Sequence, residues 1–255
     1  MSRPQTGAVI AACIVTLLLA ILDVNVVTTT ATAIARDIDP HGGVAQVPWL
    51  VAVYALVATV VQPLYGKLAD AFGPRAVFLG TVGAFVAGSL LCALATSMPE
   101  LIAFRGLQGL GGGGLMSVTV VVLGHIRAEN PGQGGNAGNA FAGLMVGFGI
   151  VIGPLVGGSL VAHASWRWVF LINLPLAIAA WIAVAACLRL PRSTARTCLD
   201  LPGAGALAGT AVCLLLVCQW GGQRYPWLSW PVVALIVAGI ASAGAFGYST
   251  PARPT

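Results

Sequence analysis

Long apolar runs separated by short polar segments make up almost the whole of this chain. Each run is long enough for a helix that crosses the hydrocarbon of a membrane, which takes about 20 residues. Backbone groups in lipid must be hydrogen-bonded within their own segment, and the short alternating patterns of membrane strands do not occur, so the runs predict helices. Eight spans are predicted, with approximate limits at 8–34, 47–66, 76–96, 101–123, 137–160, 167–188, 200–219 and 230–249.

The composition agrees with this pattern. Of the 255 residues, 58% are hydrophobic and only 7% are charged, and the mean hydropathy is +0.93. The sequence therefore predicts an all-α, polytopic membrane protein. The segment 189–199 carries three arginines and a proline, and it is the best candidate for a linker between a six-helix unit, 1–188, and two further helices, 200–249, before a short tail, 250–255.

The basic residues of the loops are divided unequally between the two sides of the predicted spans. Because cytoplasmic loops carry an excess of lysine and arginine, the side with the larger set, and both termini, are expected in the cytoplasm. The larger set comprises Arg3, Lys67, Arg75, Arg127, Arg189, Arg192, Arg196 and Arg253, and the smaller set comprises Arg36, Arg167 and Arg224. Tryptophans, which favour the membrane interface, cluster on the opposite side at Trp49, Trp166, Trp168, Trp220, Trp227 and Trp230.

Several function classes are disfavoured by the polar residues. The net charge of +5 is spread singly over short loops, so nucleic acid is not an expected partner. The six cysteines fall mostly in apolar runs without zinc-ligand spacing, which is typical of small packing residues. His41, His125 and His163 lie at separate loop ends, and no metal cluster or nucleophile pair is apparent, so an enzyme is not expected.

One carboxylate, Asp23, lies in the middle of the first span. A charge at the centre of a membrane helix costs roughly 2.5–3.5 kcal/mol on insertion scales, so Asp23 is a candidate functional residue, and proton or ion movement is the first chemistry to consider. Thr16 and Thr30 lie seven residues on either side and share a stripe with it, because seven residues are close to two helical turns. The threonines by themselves are also typical of hydrogen bonds between helices.

The fourth span contains the natural counter-charge, Arg105. Arg105, Gln108 and Gly112 can share one face, and the glycines of Gly109–Gly114 allow another helix to approach closely. An arginine beside Asp23 would favour the ionised carboxylate, whereas low dielectric would favour the neutral acid, and these opposed effects can poise the group to bind and release protons. The alternative is that Arg105, near the outer end of its span, extends to the interface.

The fifth span carries small residues at a spacing of four, Gly149, Gly153 and Gly157, with Pro154 and Gly158 beside them. Spacing of four aligns the glycines on one face, where helix backbones can touch. Pro154 removes one helix hydrogen bond and favours a kink. Packing alone would explain any single glycine, and the set with the proline indicates a hinge or seal.

The loop between the second and third spans runs from Gly66 to Arg75. Gly66 and Gly73 suit a tight cytoplasmic turn. Asp70 is expected either to cap the helix that follows or to pair with a basic residue. Solvated turn charges are an equally good interpretation of Lys67 and Arg75.

Together these segments resemble the major facilitator superfamily, and in particular its drug:proton antiporters with fourteen helices. The resemblance covers almost the whole chain, and its five motifs occur in the family's order. They are the first-helix motif at Leu22–Asp23 and Ala33–Ile38, the loop motif Gly66–Arg75, the fourth-helix motif Arg105, Gln108 and Gly109, the fifth-helix antiporter motif Gly149, Gly153, Pro154, Gly157 and Gly158, and Trp166–Pro175, which is most particular to the fourteen-helix subgroup.

The resemblance implies proton-coupled efflux of small amphipathic compounds, including drugs and antibiotics, across the cytoplasmic membrane. Asp23 would bind a proton from outside, Arg105 would tune it, and the fifth helix would help to close the outer side. A proton gradient would supply the energy, with no cofactor and no metal, and lipid would surround the helices. Thr28 and Thr32 depart from the family's first-helix motif. Pro74 replaces a usual basic residue of the loop motif, so the charge network of the Gly66–Arg75 loop is expected to be weaker.

The length of the chain leaves two functional hypotheses. The family builds two six-helix bundles with two extra helices between them, and this chain supplies the first bundle and the extra pair. Alternating access rocks one bundle against the other. The chain would then be a truncated or split transporter, completed by a second bundle from another chain or by a homodimer. The alternative is a transport-incompetent fragment that acts only as a membrane binding or assembly partner.

Overall fold

Helices account for nearly all of the residues described by the structure, a computed structural model that covers 3–129, 135–188, 201–222 and 224–249. The predicted linker, 189–199, and the predicted tail, 250–255, lie outside the described residues. One turn of 3-10 helix, Gly43–Gln46, precedes the second helix. The helices are α1 Arg3–Ile38, α2 Val47–Phe72, α3 Pro74–Leu94, α4 Met98–Glu129, α5 Gly135–His163, α6 Trp168–Leu171, α7 Asn173–Cys187, α8 Leu201–Trp220 and α9 Trp230–Ser249.

The helices follow the predicted spans closely. Seven spans each coincide with one helix, and the span 167–188 coincides with α6 and α7, which a turn at Ile172 separates. Within the described residues, five stretches are long and apolar enough to cross a membrane, and shorter apolar stretches lie in α5, α8 and α9. The five stretches are Gln5–Ile38, Gly43–Phe72, Pro74–Leu94, Met98–Ile126 and Trp168–Cys187. The predicted all-α membrane fold is confirmed.

The segment from Gly66 to Arg75 differs from its prediction. Helix α2 continues to Phe72, so Gly66 and Asp70 are helical, and the turn is made at Gly73, whose φ of 88° favours glycine. The prediction that Asp70 caps the next helix is wrong, because α3 begins after Gly73 without a side-chain cap. Arg75 Nη2 donates to the carbonyl of Ala185 at 2.5 Å, in the last turn of α7, where carbonyls lack helical partners.

Helix α4 runs between α2 and α3, and its glycines allow the close contact. Gly109 and Gly113 lie against the backbone of α2 at Tyr54 and Ala58, so that a Cβ at either position would collide with it. On the other side, Gly111 lies against the backbone of α3 in the same way. Small residues are the usual means by which membrane helices pack without a hydrophobic driving force. The glycine run of α4 therefore sets the distance between three helices.

Two clusters of buried apolar side chains fill the bundle. The first includes Phe78 and Leu115 and the second includes Leu101 and Phe170. Along α1, the first cluster ends at Ala20 and the second begins at Val26. Asp23 therefore lies in the gap between the two apolar clusters, at a buried level of the bundle.

The end of the bundle where α1 finishes is closed by aromatic and polar contacts. Trp166 Nε1 donates to Asp37 Oδ2 at 2.7 Å, and the guanidinium of Arg167 lies 4.5 Å from the centre of the Trp166 ring. Helices α8 and α9 pack on each other, and α8 packs on α2 through an edge-on contact of Trp220 with Trp49, with ring centres 6.2 Å apart. The extra pair of helices is thus attached to the six-helix unit through α2.

Candidate functional site

A buried ion pair lies at the level between the two apolar clusters. Asp23 of α1 and Arg105 of α4 are each 1% exposed, although 82 residues separate them in the chain. Arg105 Nη1 donates to Asp23 Oδ2 at 2.7 Å. The alternative prediction that Arg105 extends to the interface is wrong, since its side chain is directed into the bundle.

Gln108 connects the ion pair to α3. Its Nε2 donates to Asp23 Oδ1 at 2.9 Å and to Ser89 Oγ at 2.8 Å. Its Oε1 accepts from Arg105 Nη1 at 2.7 Å and from Cys92 Sγ at 3.6 Å. Because both amide hydrogens and the carbonyl oxygen are engaged, the Gln108 side chain is held in one orientation.

A third donor to the carboxylate comes from α7. Asn173 Nδ2 donates to Asp23 Oδ1 at 2.8 Å, and the asparagine is 3% exposed. Asp23 therefore receives hydrogen bonds from two other helices, from Arg105 and Gln108 of α4 and from Asn173 of α7. Three donors on one carboxylate stabilise its ionised form.

The guanidinium of Arg105 is stacked on an aromatic ring of α2. Its central carbon lies 4.1 Å from the centre of the Tyr54 ring, a cation–π distance, and Arg105 Nε is buried without a hydrogen-bond partner among the described residues. Gly112 lies beside the Tyr54 hydroxyl, so that a Cβ there would collide with it. The absence of a side chain at Gly112 is what permits Tyr54 to cover Arg105.

The charges of the site balance. One carboxylate and one guanidinium are buried together, and removal of either would leave an uncompensated buried charge. Protonation of Asp23 would have a comparable effect, because it neutralises the group that holds Arg105. A change of one proton at this site is therefore able to alter the contacts among α1, α4 and α7.

Gly109 and Gly112 follow Gln108 on the side of α4 that faces α2. Both are buried, and a Cβ at either position would collide with Tyr54, so they allow the close approach of α2 that the sequence predicts. Their effect on the site is indirect, through the position of Tyr54.

The glycines of the fifth helix lie on α1 at the level of the site. Gly149, Gly153 and Gly157 are buried, and Gly153 lies directly against Asn25, two residues from Asp23. Pro154 and Gly158 lie on the exposed side of α5, and nothing lies within 4 Å of a Cβ built at Gly158. The structure thus divides the predicted motif into a packing face and an exposed face.

The remaining predicted residues are not at the ion pair. Gly66, Asp70, Gly73 and Arg75 lie at the end of α2 and the start of α3, and Arg75 bonds to α7 there. On α1, Thr16 and Thr30 are buried as the stripe predicted, with Thr16 Oγ1 lying 3.2 Å from Thr119 Oγ1. Thr16 therefore joins α1 to α4, whereas Thr30 Oγ1 donates to the carbonyl of Val26 in its own helix, and neither threonine bonds to the carboxylate.

Four residues of the site were not predicted as functional from the sequence. Ser89 and Asn173 are isolated polar residues in apolar runs, and that signal could have marked them. Tyr54 and Cys92 look like ordinary apolar residues of a span. No group of three or more His, Cys, Asp or Glu side chains is arranged to hold a metal ion within the part of the chain described.

Comparison with known proteins shows the family. The model of the Major Facilitator Superfamily matches residues 12–252, and the chain belongs to this superfamily of transporters. Multidrug transporter protein MdtP of Bacillus subtilis (strain 168) is 38% identical over 218 residues, which are 84% of this chain and 40% of that protein. Efflux pump apf11 of Gibberella fujikuroi is 33% identical over 250 residues, 92% of this chain and 43% of that protein. The predicted drug-efflux family is confirmed.

Solved structures show the same fold. The human organic anion transporter MFSD10 superposes with a TM-score of 0.62 at 17% identity, over 91% of this chain and 60% of that one. An auto-inhibited peptide transporter of the POT family superposes with a TM-score of 0.57, over 94% of this chain and 52% of that one. The chain spans less than half the length of the two curated relatives compared above. It is a multi-pass membrane protein with one part of a transporter fold.

Proposed function

We propose that this chain supplies the proton-binding bundle of an exporter that exchanges protons for small amphipathic compounds. The observation that carries the proposal is the Asp23–Arg105 pair, a titratable carboxylate kept 1% exposed between apolar clusters. Ionisable residues inside membrane bundles are expensive and mark ion or proton pathways. The names of the relatives, a multidrug transporter and an efflux pump, support the direction and the class of substrate.

In this proposal, proton binding changes the contacts of Asp23. The ionised carboxylate holds Arg105 of α4 and Asn173 of α7, and the neutral acid holds both more weakly. A proton from the outer side would loosen these helices from α1, and release of the proton to the cytoplasm would restore the contacts. The proton gradient is the energy source, and no cofactor or metal takes part.

The fifth helix would help to close the outer side, since Gly153 brings α5 into contact with α1 next to Asp23. Gly66, Asp70, Gly73 and Arg75 would act in gating at the cytoplasmic end. The proposed location is the plasma membrane, and the unequal division of basic residues supports an orientation with both termini in the cytoplasm.

Transport requires a second bundle in this proposal. Alternating access moves one bundle against another around a central site. A second six-helix bundle from another chain, or a second copy of this chain, would complete the pathway. The relatives are named as transporters and pumps, and those names give no support to the alternative of a transport-incompetent assembly partner.

The proposal is tested in inverted membrane vesicles. Cells express the chain alone, or together with the part of the Bacillus subtilis relative that lies beyond the matched region. Energised vesicles are supplied with a fluorescent cationic dye, and uptake is measured with and without a proton-gradient uncoupler. Asp23→Asn is expected to reduce uncoupler-sensitive uptake to the level of vesicles without the protein.

Asp39→Asn is the matched control, because Asp39 follows α1 and accepts the backbone N–H of His41 and Gly42, which the amide oxygen can also do. It is expected to transport as the wild type does. Equal transport by Asp23→Asn would refute proton coupling. A complete lack of uptake in both arrangements of the wild-type chain would refute the transport function.

A further inference from the structure

The side chain of Asn173 bonds to another helix. Asn173 is the first residue of α7, and an asparagine side chain on a helix can bond to the backbone of its own turn. Here Nδ2 donates to Asp23 Oδ1 at 2.8 Å instead, and the residue is 3% exposed. The amide therefore bonds to the carboxylate of a residue on α1, 150 positions away in the chain.

The two protonation states of Asp23 need different partners. The ionised carboxylate only accepts hydrogen bonds, and Arg105, Gln108 and Asn173 all donate to it. The neutral acid carries an O–H that needs an acceptor. Arg105 has no acceptor to offer, and Gln108 is held by its bonds to Arg105, Ser89 and Cys92.

Asn173 differs from these two neighbours. Within the described part of the chain, the bond to Asp23 is the one hydrogen bond that holds its amide. Rotation of an asparagine amide about the Cβ–Cγ bond is a soft, roughly two-fold motion. A half turn would put the amide oxygen where the nitrogen now lies, and would present an acceptor to Asp23 Oδ1.

We infer that Asn173 is a positioning residue for proton exchange at Asp23, and that its amide turns over when the carboxyl is protonated. The proton arrives from water and forms the O–H bond at Oδ1, and it leaves to water by the same bond. In the acid, Oδ1 donates to the Asn173 oxygen and still accepts from Gln108, while Oδ2 still accepts from Arg105. The hydrogen bond from Asn173 Nδ2 to Oδ1 is replaced by the one from the acid O–H to the Asn173 oxygen, and no other covalent bond forms or breaks.

The other groups around Asp23 cannot take this role. The charged or titratable groups that face it are Arg105 from α4, Tyr54 from α2 and Cys92 from α3. Tyr54 stacks on the guanidinium, and the Cys92 thiol donates to Gln108. Helix α5 presents Gly153 to this part of α1. Rotation of the Asn173 amide would thus couple the protonation of Asp23 to a change of side-chain orientation at the junction of α6 and α7.

This inference rests on the proposed proton binding at Asp23, and infrared difference spectroscopy of the purified chain in lipid nanodiscs can test the two separately. The carbonyl band of protonated Asp23 is identified by its loss in Asp23→Asn. In Asn173→Leu, which keeps the size but not the amide, this band is expected at a higher frequency, because the O–H has lost its acceptor.

Asn25→Leu is the matched control. Asn25 is also an asparagine close to Asp23, but its amide donates to the carbonyl of Ile21 on its own helix. The Asp23 band of this variant is expected at the wild-type frequency. An Asn173→Leu chain with the wild-type band frequency would overturn the inference and leave the proposed function standing. A wild-type chain without any titrating band would overturn both.

A second measurement keeps the inference testable if Asn173→Leu does not fold. In the wild-type chain labelled with ¹⁵N-asparagine, the side-chain NH₂ resonance of Asn173 is expected to shift with the titration of Asp23. In Asp23→Asn the same resonance is expected to stay constant with pH. A resonance that does not move while the Asp23 band titrates would overturn the inference.

Discussion

Asp23 and Arg105 are best understood as one unit at the residue scale. Each charge alone would be expensive between the apolar clusters, and the pair is retained because hydrogen bonds from Gln108 and Asn173 satisfy the carboxylate further. Tyr54 adds a cation–π contact on the other side of the guanidinium. The stability of the bundle should therefore depend on the balance of charge more than on either residue.

This dependence can be measured with a double-mutant cycle. Asp23→Asn is expected to lower the free energy of unfolding by about 3–5 kcal/mol, because it leaves Arg105 buried and unpaired. The double variant Asp23→Asn with Arg105→Gln is expected to lose much less, since no buried charge remains. Thermal or denaturant unfolding of the purified chain in mild detergent gives the comparison, and losses that simply add would contradict it.

At the scale of elements, the contact between α1 and α5 depends on glycine. The sequence pattern placed Gly149, Gly153 and Gly157 on one face, and the structure sets that face against α1. The same pattern could not distinguish Gly153 from Gly158, because only the position of α1 makes one of them a contact and leaves the other open.

The difference between these glycines is a prediction. Gly153→Val is expected to destabilise the chain by about 1–3 kcal/mol, because its Cβ would lie 2.6 Å from the Asn25 Cβ and force α5 away from α1. The matched variant Gly158→Val, on the exposed side, is expected to change stability by less than about 0.5 kcal/mol. Unfolding temperatures measured side by side in detergent decide the matter; equal effects would show that the two helices do not pack as described.

At the scale of the whole molecule, the two ends of the bundle differ in their contacts. One end is closed by the hydrogen bond from Trp166 to Asp37 and by the edge-on contact of Trp220 with Trp49. At the other end, Arg75 of α3 donates a hydrogen bond to the last turn of α7. The basic residues of the loops predict that the Arg75 end faces the cytoplasm.

Cysteine labelling in intact cells tests this orientation. In a chain whose six native cysteines are replaced, His41→Cys before α2 is expected to react with a membrane-impermeant maleimide. His125→Cys, exposed near the end of α4, is expected to react only after permeabilisation. The reverse pattern would place both termini outside.

The sequence by itself determined the apolar spans, their helical structure and their approximate limits, because backbone groups in hydrocarbon leave a long apolar run no other structure. It also marked Asp23 and Arg105, since charges are conspicuous where they are expensive. Periodicity assigns residues to faces of a helix but does not set the rotation of one helix against another. Only the tertiary structure therefore decided that Gln108 and Asn173 meet at Asp23, that Ser89 bonds to Gln108, and that Tyr54 covers Arg105.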